Sequence, residues 1–100
     1  ILVLGHEDCG AVKAAIKGVE LGNITSLMKD IKPSVDATKY DGERTYSNKA
    51  FGDAVVQENV LQTMDEIRRD SPILKKLEAE GKIKICGAVY EMSSGKVRFL

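Results

Sequence analysis

The chain carries no net charge: fifteen Lys and Arg offset fifteen Asp and Glu over 100 residues. A chain without a field of one sign has no electrostatic footprint for nucleic acid or an anionic membrane surface, which argues against polyanion binding. No apolar run approaches the roughly 18 residues that a membrane-spanning helix needs. A signal-peptide pattern, internal repeats and low-complexity segments are all absent. Cysteine is scarce. Cys9 and Cys86 stand in different settings and form no Cys-x-x-Cys pair, so they read as reduced thiols or metal ligands of a cytoplasmic protein rather than as a disulfide scaffold. Histidine is scarcer still, since His6 is the only one. The 43% hydrophobic content suffices for a core and the 30% charged content for a hydrated surface. The length allows one domain at most.

What is present is concentrated at the start, in Ile1-Leu2-Val3-Leu4-Gly5-His6-Glu7-Asp8-Cys9-Gly10-Ala11-Val12. Four consecutive apolar residues suggest a strand buried on both faces, as in a parallel sheet. Such a strand needs neighbours on its edges. The chain opens inside it, with no Met, cap or polar lead-in. Residues 1–100 are therefore expected to be a single partial domain, the later part of a longer one, with that edge covered by another chain or another segment.

Further along, the spacing of Ala11, Val12, Ala15 and Ile16 predicts a helix over 10–17, ended by Gly18. Ile24, Leu27, Met28 and Ile31 predict a second over 21–35, with Asn23 or Thr25 as cap and Pro33 in a frayed last turn. Residues 36–46 lack a period and read as a surface loop. A long helix then runs from Ser47 or Asn48 to about Arg69, with a stripe from Phe51 through Val55, Val56, Val60 and Met64 to Ile67 that serves a core or a dimer interface. Ser71-Pro72 starts another helix, which Gly81 stops. Ile83 to Tyr90 reads as a strand and Lys96 to Leu100 as its hairpin partner, with Gly95 free to take positive φ in the turn. A helical crossover makes the first two strands parallel. The fold class is therefore α/β, a mostly parallel sheet flanked by helices with a C-terminal antiparallel hairpin strand.

Chemistry gathers where the first strand ends. A phosphate-gripping cysteine loop would need an arginine six positions after Cys9, and that position is Ala15. A dinucleotide fingerprint needs three spaced glycines, and Gly5 and Gly10 do not supply them. A papain-like Cys–His pair stays open on counting alone. The tight spacing of His6 and Cys9 suits a shared metal better, because imidazole nitrogen and thiolate sulfur are the pairing that zinc favours. Gly5 is expected to let the chain bend on leaving the strand. Gly10 opens a helix, so its N–H is free for an oxyanion. Asp8 and Glu7 read as solvated turn carboxylates at a helix N-terminus. Tyr90 reads as packing, Arg44 as a surface residue, and Cys86 as a small buried residue in mid-strand.

The run Val3-Leu4-Gly5-His6-Glu7-Asp8-Cys9-Gly10-Ala11-Val12-Lys13-Ala14-Ala15 resembles the second zinc-binding segment of β-class carbonic anhydrases, His-x-x-Cys-Gly at the end of a core strand. The tail is similar to the same family through Ser71-Pro72-Ile73-Leu74, Gly81-Lys82-Ile83-Lys84-Ile85, Gly87-Ala88-Val89-Tyr90 and Gly95-Lys96-Val97. The resemblance implies reversible hydration of carbon dioxide to bicarbonate by a zinc-bound hydroxide. It implies Zn2+ as cofactor, His6 and Cys9 as two of its ligands, and the Gly10 N–H facing substrate. It also implies a homodimer or higher homo-oligomer. The family's other motif, Cys-x-Asp-x-Arg, supplies a further cysteine ligand and an Asp-Arg dyad, and nothing in these residues matches it. The activity is therefore expected of the parent protein, with residues 1–100 alone impaired or inactive. The rival expectations are a non-catalytic, anhydrase-like oligomerising fragment and a different zinc enzyme such as a hydrolase.

Overall fold

Helix-period apolar stretches, punctuated by Gly18, Ser71-Pro72 and Gly81, divide the chain between two strand regions. The computed structural model describes residues 1–100 and orders them as β1 (Leu2–His6), α1 (Gly10–Lys17), α2 (Ile24–Ala37), α3 (Lys49–Asp70), α4 (Pro72–Ala79), β2 (Cys86–Glu91) and β3 (Lys96–Phe99). The sheet order is β1-β2-β3. β1 and β2 run parallel, in register from Leu2↔Cys86 to His6↔Tyr90. β2 and β3 run antiparallel, from Ala88↔Phe99 to Glu91↔Lys96. No helix is long and apolar enough to cross a membrane.

The helix ends are set by local chemistry. Gly18 takes φ 80° and its N–H closes α1 on the carbonyls of Ala14 and Ala15. The Ser71 hydroxyl accepts from the Leu74 N–H at 3.3 Å, and Pro72 follows as the first helical residue. Gly81 (φ 73°) and Gly95 (φ 72°) take the left-handed backbone that suits glycine after α4 and in the hairpin turn. α2 continues through Pro33 to Ala37 instead of fraying there. Pro33 and Lys29 are exposed, so the Lys29 carbonyl that proline leaves without a helical partner is not sealed in the core.

The core is formed where α1, α2 and α3 meet. It contains Val12, Ala15, Met28, Ile31, Val35, Phe51, Val55 and Val56, joined from the sheet by Val89. The expected stripe of α3 is therefore core over Phe51–Val60, and it becomes more exposed toward Met64 and Ile67.

Two expectations are corrected. β1 is buried on one face only. Val3 and Gly5 are partly covered, whereas Leu2 and Leu4 stay 48% and 50% exposed. α3 is the only helix that packs on the sheet, and it covers one face. β2 begins at Cys86 rather than Ile83, because the ladder with β1 begins at Leu2↔Cys86 and residues 83–85 approach it irregularly.

Candidate metal centre at the mouth of the sheet

β1 delivers His6 to the carboxyl end of the parallel pair, opposite Tyr90. The ladder runs one residue further, since the Glu7 N–H donates to the Tyr90 carbonyl at 3.0 Å. The chain then turns at Asp8, whose φ of 55° makes it the one non-glycine residue in the left-handed region. Aspartate tolerates this conformation better than most side chains. Cys9 is extended, at φ −64° and ψ 116°, and its carbonyl accepts from the Lys13 N–H at 3.0 Å to start α1. The bend expected at Gly5 is thus made at Asp8. Gly5 has a different role: a Cβ there would lie 2.8 Å from both Val56 Cγ1 and Val60 Cγ2, so its bareness lets α3 lie close to the sheet.

The His6 ring is exposed, and its Nδ1 lies 2.9 Å from the Glu7 carbonyl oxygen. A carbonyl oxygen only accepts, so Nδ1 must carry the proton. In the neutral ring this leaves the lone pair on Nε2, the arrangement of a histidine ready for a metal. Cys9 is a free, half-buried thiol. It lines a crevice of about 10 Å³ together with Asp8, Val12, Lys13, Lys49, Gly52 and Asp53, where α1 and α3 begin. That is room for about one water molecule. His6 does not line this crevice, nor does Gly10. Gly10 is exposed, and a Cβ there would meet nothing within 4 Å, so the space beside the first turn of α1 is open. Cys86 sits at the opposite end of the parallel pair, opposite Leu2, with its Sγ 3.7 Å from the Ile1 carbonyl oxygen. It takes no part in this site.

No three of the chain's His, Cys, Asp and Glu side chains are grouped to hold an ion. The donor set fits zinc in kind, one imidazole and one thiol, and supplies two of the four positions that zinc fills.

Glu7 is not the solvated carboxylate expected. Its side chain is only 14% exposed, and Oε2 accepts from the Lys49 ammonium at 2.7 Å. Oε1 is buried without a hydrogen-bond partner. The backbone N–H groups of Ser93 and Met92 add weaker electrostatic support to the carboxylate. The Lys49 hydrogen bond holds the Glu7 carboxyl below the usual carboxylate range despite its partial burial. Lys49 also donates to Asp53 one turn along α3. Asp53 first and Glu7 second hold its ammonium above the usual lysine range. Asp8, by contrast, is the solvated carboxylate expected, 47% exposed and 3.4 Å from the Lys13 ammonium. Lys49 escaped the sequence reading. Its signal was a lysine in the first turn of a helix, where the dipole disfavours a cation unless carboxylates surround it. Arg44 is exposed, as expected of a surface residue, but its guanidinium is engaged, donating to the carbonyls of Thr38 and Val35 at 2.7 and 2.8 Å.

A parallel strand pair that presents imidazole and thiol beside a helix N-terminus defines an α/β protein with a candidate ligand site at the carboxyl ends of its strands. Comparison with known proteins gives its family. The sequence profile described as carbonic anhydrase matches residues 1–97. A carbonic anhydrase of Synechococcus elongatus is 31% identical over 100 residues, covering 97% of this chain and 36% of its own. The β-carbonic anhydrase of Coccomyxa, solved with acetazolamide, superposes with a TM-score of 0.76 at 31% identity, over 100% of this chain and 46% of its own. One of the tetrameric β-carbonic anhydrases of Sordaria macrospora superposes with a TM-score of 0.79 at 19% identity, over 100% of this chain and 51% of its own, which speaks for the fold alone. The chain belongs to the carbonic anhydrase family, in its β class. It spans between about a third and about half of the length of these relatives.

Proposed function

We propose that the protein carrying these residues catalyses the reversible hydration of carbon dioxide to bicarbonate and a proton, with His6 and Cys9 as two of the ligands of a zinc ion. The observation that carries this reading is the His6 ring, its Nδ1 tied to the Glu7 carbonyl and its Nε2 left bare, three residues from a free thiol. When bound, zinc supplies the Lewis acidity that brings the pKa of water toward neutrality. The chain's own residues hold and orient. His6 offers Nε2, Cys9 offers sulfur, and the Gly10 N–H, with open space beside it, offers an oxyanion a donor at the positive end of α1. The same reading carries a homodimer or higher homo-oligomer. The Sordaria macrospora relatives are described as tetrameric, and the sheet face bearing Leu2, Leu4 and Phe99 is covered by no helix of this chain. Free Cys9 and Cys86 go with a cytoplasmic location.

The test is zinc content and carbon dioxide hydration in the intact protein. Cys9→Ser is expected to abolish zinc retention, since a hydroxyl is a poor zinc ligand at neutral pH. Cys86→Ala is expected to keep it, with at most a packing cost. Unchanged zinc in Cys9→Ser removes Cys9 from the site. A second reading, an assembly module without activity, is favoured by the count of only two donors. It prevails if the intact protein holds no zinc and hydrates carbon dioxide no faster than buffer.

A further inference from the structure

The Glu7 residue is tied at three of its atoms, one of them to His6. Its N–H donates to the Tyr90 carbonyl at 3.0 Å. Its carbonyl accepts from His6 Nδ1 at 2.9 Å. Its carboxylate accepts from Lys49 at 2.7 Å, across 42 residues of sequence. Lys49 is itself braced by Asp53, and both line the crevice that Cys9 lines. A carboxylate with one buried oxygen unpaired is costly to keep in place, so the Lys49 bond must outweigh that loss.

We infer that Lys49 is a positioning residue for the metal site: braced by Asp53, it clamps Glu7, and the clamped Glu7 carbonyl sets the tautomer and direction of the His6 ring. This rests on the proposed zinc site and adds to it a cation outside the ligand set. Free of the clamp, the Glu7 carboxylate loses its only cation and keeps just the weaker support of the Ser93 and Met92 backbone N–H groups. The Glu7 backbone is then held by its Tyr90 ladder bond alone, and its carbonyl fixes the direction of Nδ1 less firmly. Groups that orient a metal-bound histidine in this way are worth about 10- to 100-fold in metal affinity.

The experiment measures zinc affinity of the intact protein by competition with a chromophoric chelator, alongside the thermal midpoint of the zinc-free form. Lys49→Met is expected to weaken zinc binding about 10-fold or more. Lys49→Arg, which keeps a cation between the two carboxylates, is expected to recover most of it. Lys32→Met is the control: it removes an equal charge from an exposed pair with Asp36 and should leave affinity unchanged. Should Lys49→Met not fold, Glu7→Gln replaces it, keeping an acceptor for Lys49 while removing the charge that draws Lys49 in, and a several-fold loss is expected. The inference is overturned if Lys49→Met or Glu7→Gln binds zinc as wild type does. It is equally overturned if Lys49→Arg is as weak as Lys49→Met, because a specific clamp would be rescued by a cation. If wild type and Cys9→Ser bind zinc alike, the metal site itself fails and the clamp with it, an outcome distinct from loss of the clamp alone.

Discussion

Gly5 shows how a single missing side chain fixes the distance between a helix and a sheet. A Cβ at Gly5 would sit 2.8 Å from γ-carbons of both Val56 and Val60, closer than carbon atoms pack. Valine has little χ1 freedom in a helix, so neither neighbour can swing away and α3 itself has to lift. Gly5→Ala is therefore expected to cost about 1–3 kcal/mol, the usual range for overpacking a well-filled core. Urea unfolding measures it, and the cost should shrink in a Val60→Ala background, since neighbouring residues couple. An additive double mutant would show that α3 is not held off by this contact. Gly87 faces the same helix, with a Cβ position 2.7 Å from Met64 Sδ and Val60 Cγ1. One of its two neighbours is flexible, so Gly87→Ala should cost no more than Gly5→Ala.

Among the elements, α2 is capped by a residue outside itself. Its C-terminal carbonyls from Val35 and Thr38 are gathered by one guanidinium, that of Arg44, which also lies 4.7 Å from the centre of the Phe51 ring. Arg44→Ala is expected to cost about 1–2 kcal/mol through the lost bonds and the lost stacking. Lysine cannot reproduce the planar fork, so Arg44→Lys should recover only part of that in chemical denaturation. If both variants unfold with wild type, the cap adds nothing. The same contrast separates what was legible in the sequence from what was not. α1, α4 and the hairpin were readable because Gly18, Ser71-Pro72, Gly81 and Gly95 act on their immediate neighbours. The strand-end placement of His6, Cys9 and Gly10 was readable for the same reason. The one-sided burial of β1, the late start of β2, the Arg44 cap and the Lys49–Glu7 pair were not. Each is decided by residues brought together across the fold, and no local period records them.

Across the whole molecule, one ion pair adds to the partial burial of Leu74 and Leu77 in tying α4 to the rest, since α4 buries no residue fully. Arg68 of α3 meets Glu78 of α4 through two bonds of 2.9 Å, and the same guanidinium reaches the Ile85 carbonyl at 3.5 Å, just before β2. One side chain thus joins a long helix, a short helix and the approach to the central strand. The Arg68 hydrogen bonds hold the Glu78 carboxyl below its ordinary value of 4.5, against some desolvation. A carboxyl whose pKa is lower folded than unfolded contributes stability above its unfolded pKa. That contribution disappears as the pH falls through the lower, folded value. With the partners 30% and 27% exposed, solvent screens the pair and its effect stays modest. Glu78→Gln is accordingly expected to lower the thermal midpoint at about pH 7, and the gap to wild type should close as the pH falls through the lowered Glu78 value, below which both side chains are neutral. Thermal unfolding of the two proteins across that range measures the gap. A constant gap would mean that Glu78 acts by packing and not by charge, and no gap at any pH would mean that α4 is held without this pair.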